Sequence, residues 1–375
     1  VARRLYFVAG EASGDEHGAA LMRSLRELAP DWEFHGRGGP RMKATGGNNI
    51  TDWSDAAAVV GLWEVVKRYG YFRAQFNAAL DEIAAAKPDA VVLIDYPGFN
   101  LRLARTLRQR SPSVKIIYYI SPQVWAWHRG RIAQMARYLD LMLCIFPFEA
   151  ALYNASGLPT IFVGHPMIEN LARRRTGEAR DPNLIGLFPG SRSREVKKIL
   201  PVLMESARQI LAHRPGTRFE IAAASAALAR EIERIRRRFS LADRVRVVTG
   251  DSSGTMQRAA AGMVASGTAT LESAYFRMPF VLVYKVSWAT YFAARLMMRT
   301  RFLGMPNVLA DREIVPEFLQ YEARPKAIAD AVIRLTEDST SREEMMAGFG
   351  AVIAKLGETG ASEKTARAII AELAR

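Results

Sequence analysis

LFPGSRSREVKK, residues 187–198, begins as an apolar run and breaks at Pro189-Gly190. Two hydroxyls and four cations follow within eight residues, with Glu195 among them, before the amphipathic segment ILPVLMESARQILAHR. A strand, a glycine turn and a helix start in that order bring free backbone N–H groups to one point, where the helix dipole favours an anion. Gly190, Ser191, Arg192 and Arg194 are therefore candidate anion ligands. The unit also reads as one strand–helix step of a parallel sheet, because a short buried strand that leads directly into a helix must cross over to reach its next neighbour.

The same step recurs on both sides. Upstream, RLYFVAG, DAVVLIDYP, VKIIYYISP, LMLCIF and TIFVGHP are short, apolar on both faces and separated by helix-like stretches. A polar run without periodicity, RRRTGEARDPN at 173–183, reads as a linker. Beyond it LIGLFPG, RFEIAAA, VRVVTG, AGMVASG and PFVLVYKV resume the alternation. The pattern predicts an α/β protein of two doubly wound, Rossmann-like domains facing a cleft, 1–172 and 173–345. Residues 346–375 are helical by pattern and expected as closing helices that can cross back to the first domain. At 375 residues the chain is long enough for two cores.

Composition narrows the chemistry. One cysteine, Cys144, excludes an intramolecular disulfide and a multi-cysteine metal site. No apolar stretch reaches bilayer-spanning length without a charge, and strand-like LYFVAG runs straight into Glu11 and Asp15, unlike a secretory signal. A cytoplasmic protein is expected. The net charge of +14 calls for nucleic acid, an anionic membrane face or phosphorylated substrates, or else for solvated outer helix faces. The basic runs lack aromatic interleaving and zinc-finger spacing, so nucleic acid is not the expected partner.

In doubly wound folds ligands sit beyond the carboxyl ends of the strands, so those loops carry the candidates. VAGEASGDEHGAAL (8–21) spaces Gly10 and Gly14 too far apart for a dinucleotide fingerprint. Glu11, Ser13 and Asp15 can bond sugar hydroxyls, or Asp15 can serve a helix start. In VVLIDYPGFN (91–100), Asp95 ends a very apolar strand at a Pro-Gly loop. A carboxylate there is partly desolvated yet reachable, which suits a general base, and Asn100 is expected to cap the following helix. YYISPQVWAWHRGRI (118–132) offers Trp125 and His128 to a sugar or lipid, or to ordinary packing. ASGTATLES (265–273) supplies Ser266, Gly267 and Thr268 at a second helix start, with Glu272 one turn in, placed for a ribose diol. In AAVVGLWEVVKRYGYFRAQF (57–76), Leu62, Trp63, Val66, Tyr69 and Phe72 share one helical face beside cations. That face fits either a domain core or an anionic membrane and acyl chains.

Taken together, VAGEASGD, GGPRM, VVGLWEV, IDYPGFN, ISPQVWAW, FPFE, VGHPM, LFPGSRSREV, SGTATLES and LGMPNVLADREIVPEFLQ resemble, in order, the motifs of the lipid-A-disaccharide synthase family, over residues 5 to 325. The resemblance implies a GT-B fold and an inverting glycosyltransferase at the cytoplasmic face of the inner membrane, with no cofactor and no metal. It implies transfer of 2,3-diacylglucosamine from UDP to the 6-hydroxyl of 2,3-diacylglucosamine 1-phosphate, giving lipid A disaccharide 1-phosphate and UDP. By motif, Asp95 becomes the catalytic base and Arg192 the stabiliser of departing UDP. The Ser266–Thr268 loop, Glu272 and Asn307 fall on the donor side. Gly98 stands where many relatives carry a second Asp, so a two-carboxylate arrangement is not expected; Asp311 stands where Gly is common, and Val60 where Met is. The rival expectations are another UDP-sugar enzyme of this fold, such as a lipid-linked N-acetylglucosamine transferase or an epimerase, and a basic nucleic-acid-binding protein.

Overall fold

The computed structural model describes residues 2–53, 69–127, 130–286 and 300–375. They fall into two compact units, Val1–Pro166 with Leu356–Arg375, and Met167–Lys355. The 346–375 segment is thus divided: the helix Ser339–Lys355 lies in the second unit and the helix Ala361–Leu373 in the first.

The first unit is built on a parallel sheet of seven strands: β1 (Arg4–Ala9), β2 (Glu33–Gly38), β3 (Ile50–Asp52), β4 (Ala90–Ile94), β5 (Lys115–Tyr119), β6 (Leu141–Cys144) and β7 (Thr160–Phe162), in the order β3-β2-β1-β4-β5-β6-β7. The direction of winding reverses between β1 and β4, whose registers pair Leu5 with Ala90 and Ala9 with Ile94. All five β4 residues are completely buried, as expected of a central strand covered on both faces. β2 and β3 were not anticipated, because EFHGRG and ITD lack an apolar run. Arg37 of β2 is nonetheless buried, its guanidinium donating to Glu82 and Gln75 on the helix Tyr69–Ala86. A paired cation stands there in place of an aliphatic residue. Cys144 is buried in this core and burial pushes its thiol up to about 12, well outside the reactive range. The helix Ala361–Leu373 packs on Ala12–Leu28, and Arg3 and Lys115 reach the Leu373 carbonyl and Glu372 from the sheet's amino-terminal side.

The second unit repeats the plan with six parallel strands: β8 (Asp181–Phe188), β9 (Arg218–Ala223), β10 (Val245–Thr249), β11 (Ala259–Ala265), β12 (Phe280–Tyr284) and β13 (Glu317–Leu319), ordered β10-β9-β8-β11-β12-β13. Its reversal lies between β8 and β11. The polar run read as a linker is fastened to this unit. Arg180 donates to the carbonyls of Met256, Gln257, Ala259 and Phe276, and the buried Gln257 side chain binds the backbone at Thr176 and Arg174. Edge strand β13 was also unexpected, since Pro316 precedes only three strand residues.

Candidate active site

Each sheet's switch point brings two loops side by side, and those loops hold the residues with chemistry. In the first unit they follow β1 and β4. Asp95 and Tyr96 both adopt left-handed backbone, φ 46° and 50°, an arrangement that costs about 1–3 kcal/mol per non-glycine residue. Buried hydrogen bonds hold it in place. The Asp95 N–H donates to the Tyr119 carbonyl at 2.9 Å, while the Asp95 carbonyl accepts from Asn100 Nδ2 at 2.8 Å and from the Tyr118 hydroxyl. Asn100 is fully buried and its amide also reaches the Ile94 carbonyl at 3.2 Å. It is therefore a clasp between strand end and helix rather than the expected cap: the helix begins earlier, at Pro97, behind a left-handed Tyr96. The Asp95 side chain is half-buried. Burial first, then the negative charge of Glu11, pushes its carboxyl up to about 6, against the pull of the Tyr96 N–H. A carboxylate so placed takes up a proton readily near neutral pH.

Glu11 and Ser13 are exposed at the start of the helix Ala12–Leu28, beside this loop. Asp15 is not available to a sugar. It is buried, and its oxygens accept the N–H groups of Gly39 at 2.8 Å, Met42 at 2.9 Å and Arg41 at 3.0 Å, capping the helix Pro40–Gly46. The helix-start reading was the right kind, applied to the neighbouring helix. Trp125 is likewise internal: its indole N–H donates to Glu149 at 2.9 Å and its ring meets Phe148 edge-on. Glu149 of FPFE, missed as a contributor, is completely buried and accepts from Ser121 at 2.6 Å as well as from the Phe146 N–H. Burial drives it up to about 7, against the donors Ser121 and Trp125. Its place three residues into a helix start, the capping-box position, was the available signal. Phe72 is half-buried and packs on the first unit's core, as the core reading of that face requires. Leu62, Trp63, Val66 and His128, and the Tyr69 side chain, lie outside the described residues.

In the second unit, the loops after β8 and β11 adjoin. Gly190 (φ 106°) and Gly267 (φ 145°) turn each strand into its helix through backbone that a side chain would strain. Ser191, Arg192 and Arg194 are exposed at the first helix start, Gly267 and Thr268 at the second, with Ser266 half-buried between them. The helices Ser193–His213 and Thr268–Tyr275 begin there. Burial raises the Glu272 carboxyl, with Arg174 opposing. Asn307 is not a donor ligand. It is buried, its Nδ2 donates to the Val315 carbonyl and to Glu317 at 2.8 Å each, and its Oδ1 accepts from Ile314 and Val315 N–H at 2.8 and 2.9 Å. Glu317 in turn accepts from the N–H groups of Leu303 and Gly304. The PNVLADREIVPE motif is thus a polar staple, and Asp311 in it holds the left-handed turn (φ 54°) at which glycine is easiest. Among the described residues no group of three or more His, Cys, Asp or Glu is placed to hold a metal ion. No helix among them is long and apolar enough to cross a membrane.

The fold is that of GT-B glycosyltransferases and UDP-sugar epimerases. The whole chain superposes on S. aureus MnaA, solved with UDP (TM-score 0.67, 11% identity, 99% of this chain and 97% of that one). It also superposes on the calicheamicin glycosyltransferase CalG4 (0.59, 15%, 100% and 99%). At such identities the likeness speaks for fold alone. Sequence decides the family. The lipid-A-disaccharide synthetase family model matches residues 5–371. The lipid-A-disaccharide synthases of Myxococcus xanthus (38% identity over 98% of this chain and 97% of that protein) and Geobacter sulfurreducens (39%, 99% and 98%) align along their lengths. The chain is a glycosyltransferase and belongs to the lipid-A-disaccharide synthase family.

Proposed function

We propose that the chain transfers 2,3-diacylglucosamine from UDP to the 6-hydroxyl of 2,3-diacylglucosamine 1-phosphate, with inversion, at the cytoplasmic face of the inner membrane. Asp95 takes the proton of the 6-hydroxyl as that oxygen attacks the anomeric carbon. The bond from that carbon to the diphosphate oxygen breaks with its electron pair on UDP, and Arg192 meets the charge that develops there. A single displacement on an α-linked donor gives the β-linked disaccharide, so one base suffices. Gly190, Ser191, Arg194, the Ser266–Thr268 turn and Glu272 form the donor side, while Glu11 and Ser13 serve the acceptor. Asp15, Trp125 and Asn307 shape the loops from inside. The basic surplus adds attraction to anionic lipid, about 1 kcal/mol for each cation near the surface.

The observation that carries this reading is the Asp95 carboxyl, raised by burial and borne on backbone that the Asn100 clasp holds at the switch point, in a chain of this family. The deciding experiment is Asp95→Asn assayed by mass spectrometry of products from defined diacylated donor and acceptor. Turnover should fall by roughly 10²–10⁴ while UDP binding persists. Wild-type turnover in the variant removes Asp95 from the mechanism. Turnover of wild-type protein with plain UDP-N-acetylglucosamine but not the diacylated donor removes the substrate assignment.

A further inference from the structure

The turn after β8 contains a carboxylate that the anion-site reading leaves unexplained. Glu195 is the third residue of the helix Ser193–His213. Its Oε1 lies 3.3 Å from Arg192 Nη1, and its Oε2 lies against Gly190, where a Cβ would come within 2.5 Å of it. The Glu195 side chain is 22% exposed and that of Arg192 61%. The acid is thus the seated partner and the guanidinium the one free to move. Half-buried Tyr284 at the end of β12 completes the cluster: burial raises its hydroxyl first, the charge of Glu195 adds to this and that of Arg192 opposes it.

This is an odd place for a negative charge if the turn served only to attract phosphate. A glycine turn at a helix start favours one anion; here the chain supplies that anion itself. A second anion entering at the turn must take Arg192 from Glu195 and tolerate the carboxylate beside it. The cost of freeing Arg192 is the same for every anion that takes it, and the carboxylate's repulsion grows with the ligand's charge, so Glu195 lowers the hold on a nucleotide without favouring two phosphates over one.

We propose that Glu195 is a positioning residue of the donor site, a built-in anion that holds Arg192 over the Gly190 turn, yields it to the diphosphate of a nucleotide and thereby weakens the hold on UDP. The proposal rests on Arg192 being a donor ligand, and its test separates the two. UDP and UMP are titrated calorimetrically into the wild-type chain, Glu195→Gln, Glu195→Asp and Arg192→Ala. Glu195→Gln should bind UDP about tenfold tighter, and UMP should gain no more than UDP. Glu195→Asp keeps the charge but falls one methylene short of Gly190, and should gain two- to threefold, which serves if the Gln variant does not fold. Unchanged or weaker UDP binding in these variants, or a gain for UMP larger than that for UDP, overturns the role of Glu195. If Arg192→Ala binds UDP as the wild type does, the donor assignment of Arg192 is what fails.

Discussion

The loop after β4 and the turn after β8 each lie at the switch point of their own sheet, one on either side of the reversal, yet they are made of opposite materials. The first forces two non-glycine residues, Asp95 and Tyr96, into left-handed backbone and holds them with fully buried Asn100 and Tyr118. The second obtains its turn from Gly190 and leaves Ser191, Arg192 and Arg194 in solvent. Buried hydrogen bonds to its N–H and carbonyl fix the backbone from which the Asp95 carboxyl projects, and a positioned base is what proton transfer demands. Glycine backbone and long exposed cations suit a large, highly charged ligand that must enter and leave. On the proposed function, the molecule separates positioning from capture.

Substitutions at the two loops should therefore fail differently. Asp95→Asn, with the largest expected effect, should remove roughly 10²–10⁴ in kcat with UDP affinity unchanged. Arg192→Ala should cost roughly 10²–10³ in kcat/KM and weaken UDP binding as well. Equal losses of UDP affinity in both variants would erase the contrast. Next comes a residue that touches neither loop's ligand. Asn307→Ala takes the side-chain partner from the Val315 carbonyl and from the Ile314 and Val315 N–H groups and should destabilise the chain by about 2–4 kcal/mol, read from denaturant midpoints. An Asn307→Ala variant of normal stability with weakened UDP binding would return Asn307 to the donor site.

Glu149 extends the comparison to a fully buried acid, whose partners Ser121, Trp125 and Phe146 surround it inside the first unit. Burial raises its carboxyl from 4.5 to about 7 in the folded chain. The folded state therefore holds a proton between those values that the unfolded state has released. The associated stability is fully present below pH 4.5 and is lost as pH rises through 7. Relative to Glu149→Gln, the wild type should lose on the order of 2–3 kcal/mol between pH 5 and 8. Parallel stability curves for the two proteins would show the carboxyl to be ionised throughout.

Much of this was legible from sequence where one residue's chemistry depends on its neighbours along the chain. β4 is apolar throughout and Asp95 follows it directly, so both the strand and the half-buried acid at its end followed. The Gly190 and Gly267 turns followed in the same way from strand, small residues and helix start. What escaped depends on partners distant in sequence. Asp15 looks like a ligand until the Gly39, Arg41 and Met42 amides are seen to fill its oxygens. Asn307 looks like one until the backbone of Ile314 and Val315 closes on it. Trp125 looks like a sugar platform until Glu149 draws its N–H inward. A motif reports that a residue matters, and its hydrogen-bond partners report why. β2 escaped because Arg37 is made acceptable in the core by Glu82, an interaction across 45 residues.

The smallest predicted effect tests the electrostatics of the first loop directly. Two causes hold the Asp95 carboxyl near 6, burial and then Glu11. A base must be ionised to accept a proton, so activity should fall as pH drops through about 6. Glu11→Gln removes the nearby charge and leaves the burial, so the acid limb of kcat against pH should move down while staying above 3.8, the ordinary value for Asp. The position of the limb separates this from a lost sugar contact, which would lower kcat or raise KM at every pH and leave the limb in place. A limb that does not move assigns the raised carboxyl to burial alone and leaves Glu11 to the acceptor. A limb that moves makes Glu11 and Asp95 a coupled pair, in which the exposed acid sets the pH at which the buried one can act.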